Sequence, residues 1–256
     1  MTPQTIRIDE RLVRDGLVES RALAQRLIMA GSVRVDDQVV DKASAKVRDV
    51  QRVAVDAGPP FVSRGGEKLD NALVSHAAAI AAHGFVIDGA RAIDIGASTG
   101  GFTDCLLQRD AAHVIAVDVG YGQLHQRLRD DARVTVMERT NARHLEPEML
   151  PYAPELLVCD ASFISLATVL PATFACMSQE GWWGVLLCKP QFEAGRERLA
   201  THGRKGVITD AAMRERIVAE TVEAVREAGV EVLGVERAHP PGPKGNVEYV
   251  LLVRGR

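Results

Sequence analysis

The chain predicts an α/β protein: a doubly wound, mostly parallel seven-stranded sheet preceded by a small α+β module. Three observations carry this expectation. Apolar runs such as V-I-A-V and L-L-V-C are nearly continuous, the pattern of strands buried on both faces. They alternate with helical stretches over most of the chain. At 256 residues, against roughly 150 per domain, there is room for two unequal domains.

The front of the chain reads as its own unit. Leu12, Val13 and Leu17, then Leu23, Leu27 and Ile28, recur at helical spacing and predict two short helices. Gly16 stops the first, Ser20 caps the second, and Gly31 closes it. Val33, Val35, Val39 and Val40 flank Asp36-Asp37 as a hairpin, and Val53 and Val55 mark a further strand. Ala57-Gly58-Pro59-Pro60 reads as a linker, which gives a front domain at 1–60, a linker at 61–66 and a second domain at 67–256. The second domain opens with a helix over 67–82. Strands are predicted at 91–95, 113–117, 134–138, 156–159, 184–188, 230–236 and 249–253. The last two are separated by a Pro/Gly-rich loop too short for a crossover helix, so they form an antiparallel hairpin at the sheet edge.

Composition excludes several classes. Hydrophobic residues make up 46% and charged residues 25%, enough to build a core and too apolar for a disordered chain. No run approaches the roughly 20 apolar residues of a spanning helix, and the start lacks the apolar stretch of a secretory signal, so the cytoplasm is the expected location. Cys105, Cys159, Cys176 and Cys188 show no metal-ligand spacing, and neither a disulfide nor a metal site is expected. The net charge of −3 divides unevenly, with +2 over residues 1–66 and −5 over the rest. A polyanion would therefore be gripped by local patches, first of all in the front module.

The chemistry gathers at strand ends. A-I-D-I-G-A-S-T-G-G-F places a glycine turn at 96–101 between a buried strand and a helix, where a ligand can approach the backbone. Three residues separate Gly96 from Gly100, so the G-x-G-x-x-G dinucleotide pattern fails, and a ligand without pyrophosphate is favoured. Asp118 follows 22 positions after Gly96, a distance at which a carboxylate can hold a nucleoside ribose, although a helix cap would look the same. Asn141, or the amides beside it, could face an adenine, and turn chemistry is the plainer reading. Asp160 and Lys189 leave adjacent apolar strands at one edge, Lys68 lies in the first helix of the second domain, and Glu248 opens the last strand. Each alone reads equally well as a structural ion pair.

A seven-stranded sheet ending in a hairpin is the outline of Rossmann-like S-adenosylmethionine-dependent methyltransferases, an analogy of fold. The ordered motifs are more specific: S-R-G-G-E-K-L at 63–69, G-A-S-T-G-G-F at 96–102, D-V-G-Y-G-Q-L at 118–124 and E-R-T-N-A-R at 138–143. They continue as S-F-I-S-L-A-T-V-L-P at 162–171, K-P-Q-F-E at 189–193 and G-N-V-E-Y at 245–249. With these motifs the chain resembles the TlyA, or hemolysin-like, family over nearly its whole length. Its second domain is similar to the FtsJ-type ribose 2′-O-methyltransferases, and its front module looks like an S-four-type RNA-binding domain. Asp36-Asp37 departs from the Asn-Gly common in that hairpin and leaves the turn geometry open.

The resemblance implies S-adenosylmethionine-dependent methylation of a cytidine ribose in ribosomal RNA. It places a catalytic tetrad on Lys68, Asp160, Lys189 and Glu248. Cofactor contacts would come from Gly96, Ala97, Ser98, Thr99, Gly100, Phe102, Asp118, Val119, Asn141, Ala142 and Asp160. Lys189 would lie nearest the attacking oxygen, as a neutral base or as a stabilising ammonium. D-A-S-F at 160–163 stands where amine methyltransferases carry D/N-P-P-Y/F, which favours hydroxyl chemistry. RNA would be held by Arg7, Arg11, Arg14, Arg21 and Arg26, with Arg64, Arg139 and Arg143 continuing toward the reaction centre. Phe102, Phe163 and Phe192 read as core or cofactor packing rather than stacking platforms. The partner would be a ribosomal subunit, the large one being suggested by an end at V-R-G-R without a longer tail. Two other readings remain: a membrane-active hemolysin, whose one candidate segment at 69–87 is interrupted by polar residues, and an inactive ribosome-binding protein.

Overall fold

The computed structural model describes residues 5–56, 58–204 and 206–255 and divides into two compact units, Met1–Pro60 and Phe61–Arg256. In the first unit the elements are β1 (Thr5–Arg7), α1 (Ile8–Arg14), α2 (Arg21–Met29), β2 (Val33–Val35), β3 (Gln38–Val39), β4 (Lys46–Arg48) and β5 (Val53–Val55). Strands β3, β2 and β5 form an antiparallel sheet, and β1 pairs with β4. Ile8, Leu12, Ala24, Ile28, Val33, Val35 and Val47 close the core, while Val13 and Leu17, which share the helical spacing, are exposed. The Ser20 hydroxyl accepts from Leu23 N at 3.3 Å as the expected cap. The Asp36-Asp37 turn has φ of 50° and 65°, the doubly left-handed geometry that Asn-Gly usually supplies. The Asp36 carboxylate holds it there by accepting from Arg52 N at 2.9 Å and Gln51 Nε2 at 2.8 Å. Ala57 of the predicted linker lies outside the described residues.

The second unit contains α3 (Arg64–Ser75), α4 (Ala77–Ala82), β6 (Arg91–Ile95), α5 (Gly101–Leu107), β7 (His113–Val117), α6 (Gln126–Arg129), β8 (Val134–Met137), β9 (Leu156–Cys159) and α7 (Leu166–Ala175). It continues with β10 (Trp182–Cys188), α8 (Pro190–Glu193), α9 (Gly195–His202), β11 (Gly203–Arg204), β12 (Val207–Ile208), α10 (Ala211–Glu227), β13 (Glu231–Arg237) and β14 (Tyr249–Gly255). Seven of its strands form one sheet in the order β13-β14-β10-β9-β6-β7-β8, in which β14 runs antiparallel to both neighbours. The remaining pairings are parallel. All seven predicted strands are present, with ends shifted by one or two residues. One face of the sheet packs on α3 and α5 through Leu69, Phe102 and Leu106. The other packs on α7 and α10 through Leu166, Leu170, Val218 and Val222. The four cysteines are free and buried.

Two predictions are corrected here. Residues 61–66 belong to the second unit rather than to a linker. Phe61 is buried, Val62 N donates to Asp104 Oδ2 at 2.8 Å, and α3 already begins at Arg64. Within α3 a Cβ on Gly66 would lie 2.3 Å from the Phe61 ring, so glycine is what lets Phe61 dock on the helix. The single helix predicted over 67–82 is broken at His76 (φ −93°, ψ 8°), which ends α3 and precedes α4. Among the described residues no helix is long and apolar enough to cross a membrane.

Candidate active site

The chain order reverses between β6 and β9, so their crossovers leave in opposite directions and open a crevice at the carboxyl ends of the strands. Gly96 turns the chain there at φ 82°, and a Cβ on it would meet the backbone of Asp160 and Ala161 at 3.0 Å. Glycine is thus required twice, for the left-handed backbone and for the close approach of the loop after β9. The turn is pinned by Asp118, whose Oδ2 accepts from Ser98 N at 2.8 Å and Oδ1 from Gly120 N at 2.7 Å. Each carboxylate oxygen keeps a further lone pair for a ligand.

Gly96, Ser98, Asp118, Val119, Asn141, Ala142 and Asp160, all predicted cofactor contacts, line a cavity of about 600 Å³ together with Arg143. Asn141 Oδ1 accepts from Arg143 N at 3.2 Å, so its side chain caps a turn as the plainer reading held. Ala97, Thr99 and Phe102 instead line a second cavity of about 560 Å³. Gly100 lines neither: a Cβ there would lie 2.3 Å from Leu128 Cδ1, so this glycine serves packing. Gly96, Ser98, Asp160, Ser162 and Phe163 border both cavities and form their common wall.

The second cavity gathers Lys68, Asp160, Lys189 and Glu248. Lys68, from α3, donates to Glu248 Oε2 at 2.6 Å, with side chains 9% and 1% exposed. Lys189, directly after β10, pairs with Asp160 Oδ1 at 2.5 Å and donates to Asp160 O at 3.2 Å and Ser162 Oγ at 2.8 Å. Two of these contacts are hydrogen bonds, and the third, to Asp160 Oδ1, is an ion pair that leaves this buried oxygen without a hydrogen-bond donor. Burial pushes the Asp160 carboxyl above its ordinary range, Lys189 and Lys68 oppose that shift, and Glu248 adds to it. Two cations against two anions leave no net charge stranded in this low-dielectric site.

Sequence reasoning missed several neighbours. Gln191 and Asn246 are buried in the wall of the second cavity, and Gln191 Nε2 approaches Glu248 Oε1 at 3.4 Å. Both lie within motifs quoted above, K-P-Q-F-E and G-N-V-E-Y, but an uncharged polar residue there carries no signal of its own for a cavity wall. Phe163 was assigned to core or cofactor packing and is instead 89% exposed, at φ 66°, against the Phe192 ring with centroids 4.9 Å apart. Phe102 is buried as expected.

The arginines divide. Arg7 and Arg21 are both hydrogen-bonded to the fully buried Asp9, at 2.9 to 3.0 Å. Arg11 is itself buried, paired with Asp15 and bonded to Arg48 O at 3.1 Å, so it braces α1 against the turn after β4 rather than facing a ligand. Arg14 pairs with Asp49 at 2.8 Å. Arg26 is exposed and makes no ion pair among the described residues, and the same holds for Lys42, Lys46, Arg48 and Arg52, which the sequence analysis passed over. Arg64 and Arg143 are exposed beside the cavities, and the exposed Arg139 stacks on Tyr121 at 4.0 Å.

A nucleoside-sized crevice at the switch point of a seven-stranded sheet, sharing a wall with a buried quartet of charges, defines a methyltransferase of the Rossmann-like class. Residues 61–254 match the FtsJ-like methyltransferase family and residues 6–53 the S4 domain. The chain is 48% identical over 250 residues to the 16S/23S rRNA (cytidine-2′-O)-methyltransferase TlyA of Mycobacterium tuberculosis, covering 97% of this chain and 89% of that protein. It is 37% identical to Hemolysin A of Brachyspira hyodysenteriae, covering 96% and 98% of the two chains. A solved structure from Streptococcus thermophilus that carries the hemolysin name is 36% identical with a TM-score of 0.70, covering 100% of this chain and 90% of that one. The chain belongs to the FtsJ-like methyltransferases and, among them, to the TlyA family.

Proposed function

We propose that this protein transfers a methyl group from S-adenosylmethionine to the 2′-oxygen of a cytidine ribose in ribosomal RNA. The observation that carries the reading is the common wall at Gly96 and Asp160, which brings a nucleoside-sized crevice and the Lys189–Asp160 and Lys68–Glu248 pairs to adjoining cavities. S-adenosylmethionine fits the crevice. Gly96 gives backbone access that a Cβ would fill, Asp118 has lone pairs for the ribose hydroxyls, and Ala142 and its neighbours close the far end. Bound there, it supplies an electrophilic methyl on a sulfonium.

The chain's own residues supply the rest. Lys189, held by hydrogen bonds to Asp160 O and Ser162 Oγ and by its ion pair with the Asp160 carboxylate, acts as an ammonium that orients the ribose hydroxyl and stabilises the charge growing on its oxygen. Asp160, whose basicity burial raises, takes the hydroxyl proton as the oxygen–carbon bond forms and the sulfur–carbon bond breaks. Lys68 and Glu248 keep the balance of charge around that carboxylate. Phe163, exposed at the mouth of both cavities, offers a face on which an unpaired base can stack. Phosphate contacts come from Arg26, Lys42, Lys46, Arg48 and Arg52 in the S4 unit and from Arg64, Arg139 and Arg143 in the methyltransferase unit. The hemolysin name of some relatives finds no support in a membrane-crossing helix among the described residues.

The test is tritium transfer from labelled S-adenosylmethionine to isolated large and small ribosomal subunits, followed by mapping of the modified sugar. Label on a cytidine 2′-oxygen is expected, and Lys189→Ala should reduce single-turnover transfer at least about a hundred-fold. Label on a base amine, or near-normal transfer by Lys189→Ala, would overturn the reading.

A further inference from the structure

Glu193 is a carboxylate that the proposed chemistry does not use. It ends the short helix α8, whose first turn follows Lys189 directly, and its own N–H donates to Lys189 O at 3.2 Å. Its side chain reaches across to the next loop, where Oε1 and Oε2 accept from Leu166 N at 3.0 and 3.3 Å. Leu166 is the first residue of α7, so this contact satisfies one of the amides that a helix start leaves open. Glu193 makes no ion pair among the described residues, and burial pushes its carboxyl up to about 7. A half-buried carboxyl without a cation is costly unless its hydrogen bond matters.

What it anchors is the loop between β9 and α7. That loop starts at Asp160, carries Ser162 and the left-handed Phe163, and ends at Leu166. Its first half is tied to the Lys189 side chain through Asp160 and Ser162, and its middle by the Phe163–Phe192 ring contact. Its far end is tied by Glu193. Lys189 and Glu193 therefore hold the same two segments together from opposite ends, and Phe163, at φ 66°, sits between them.

We propose that Glu193 is a positioning residue for methyl transfer: by holding the start of α7 against the turn that carries Lys189, it keeps Asp160 and Ser162 on the Lys189 ammonium. The inference rests on the reading of Lys189 and Asp160 as the reacting pair. A neutral acid or an amide can accept the Leu166 N–H through its carbonyl oxygen, whereas a side chain one methylene shorter cannot reach it.

The experiment compares Glu193→Gln, Glu193→Asp and Glu193→Ala in the full chain, with Lys189→Ala as reference. It measures single-turnover methyl transfer at saturating ribosomal substrate, substrate affinity and melting temperature. Glu193→Gln should stay within about three-fold of wild type, while Glu193→Asp and Glu193→Ala should transfer methyl at least about ten-fold more slowly with substrate affinity unchanged within about two-fold. If Glu193→Ala does not fold, the Gln and Asp variants decide between themselves. Equal rates for Gln and Asp, normal transfer by Ala, or a loss of rate matched by a loss of affinity would overturn the inference. Wild-type protein that methylates no ribosomal particle would instead overturn the proposed function; active wild type with inactive Lys189→Ala and normal Glu193 variants would remove only the role of Glu193.

Discussion

Glu248 is the most enclosed member of the quartet, and its partner Lys68 has little access to water. Removing the negative charge leaves the largely buried Lys68 ammonium without its hydrogen-bonded counter-ion, with only the more distant Asp160 carboxyl to offset it. Glu248→Gln should therefore cost about 3 kcal/mol of stability in urea unfolding, as expected when one partner of a buried pair is lost. An unchanged urea midpoint would show that water reaches Lys68. At this scale sequence and structure part company most clearly. The four charged positions were legible through the ordered motifs, and Asp160 and Lys189 also because a charge directly after an apolar strand is unusual, whereas Lys68 in a helix and Glu248 before a strand carried no such local signal. Ser162, Gln191 and Asn246 were not, since a short polar residue near a strand end serves turns far more often than cavities. For the arginines the pairing was illegible: sequence displays a charge without its partner, and only coordinates reveal that Asp9 binds Arg7 and Arg21 or that Arg11 is buried.

At the scale of elements, the β6-to-α5 turn decides whether the crevice exists. A methyl group on Gly96 would have to hold φ at 82° and push back the Asp160–Ala161 backbone. Gly96→Ala should weaken S-adenosylmethionine binding at least about ten-fold, equivalent to about 1.4 kcal/mol, as measured by titration calorimetry. Tight binding by this variant would mean that the ligand does not use the turn. The strands of the large sheet were legible because burial on both faces writes a continuous apolar run, as in L-L-V-C. Strands β1 and β4, three residues each and half exposed, carry no such run and were not anticipated. The break at His76 was hidden for a related reason: A-A-A-I-A-A continues the helical composition across it, and no glycine or proline marks the stop.

At the scale of the molecule, the two units carry buried aspartates with opposite titration behaviour. Asp94, fully buried beneath the glycine turn, is pushed up to about 7 by burial, against hydrogen bonds from Thr103 N and Oγ1, with Asp160 and Asp118 adding to the rise. The folded state thus holds a proton that the unfolded chain releases near the usual aspartate range. Asp94 contributes stability below that range and loses it as pH rises through about 7. Asp9 is the reverse. The Arg7 hydrogen bonds hold its carboxyl well below the usual range, so its contribution is present above that range and lost as pH falls. Acidification should therefore weaken the S4 unit while strengthening this part of the methyltransferase unit. Asp94→Asn should flatten the change in the methyltransferase unit's urea midpoint between pH 5 and pH 8; an unchanged slope would assign it to other groups.

The four unpaired thiols have a practical corollary. Cys159 and Cys188 stand immediately before Asp160 and Lys189, and burial pushes Cys105 and Cys159 up to about 12, with Cys176 and Cys188 also raised. Alkylating reagents need the thiolate, so iodoacetamide at pH 8 should leave the native enzyme unlabelled and tag all four positions in urea. Carbamidomethylation then becomes a clock for the opening of the very strands that present the reacting side chains, readable peptide by peptide without any added probe.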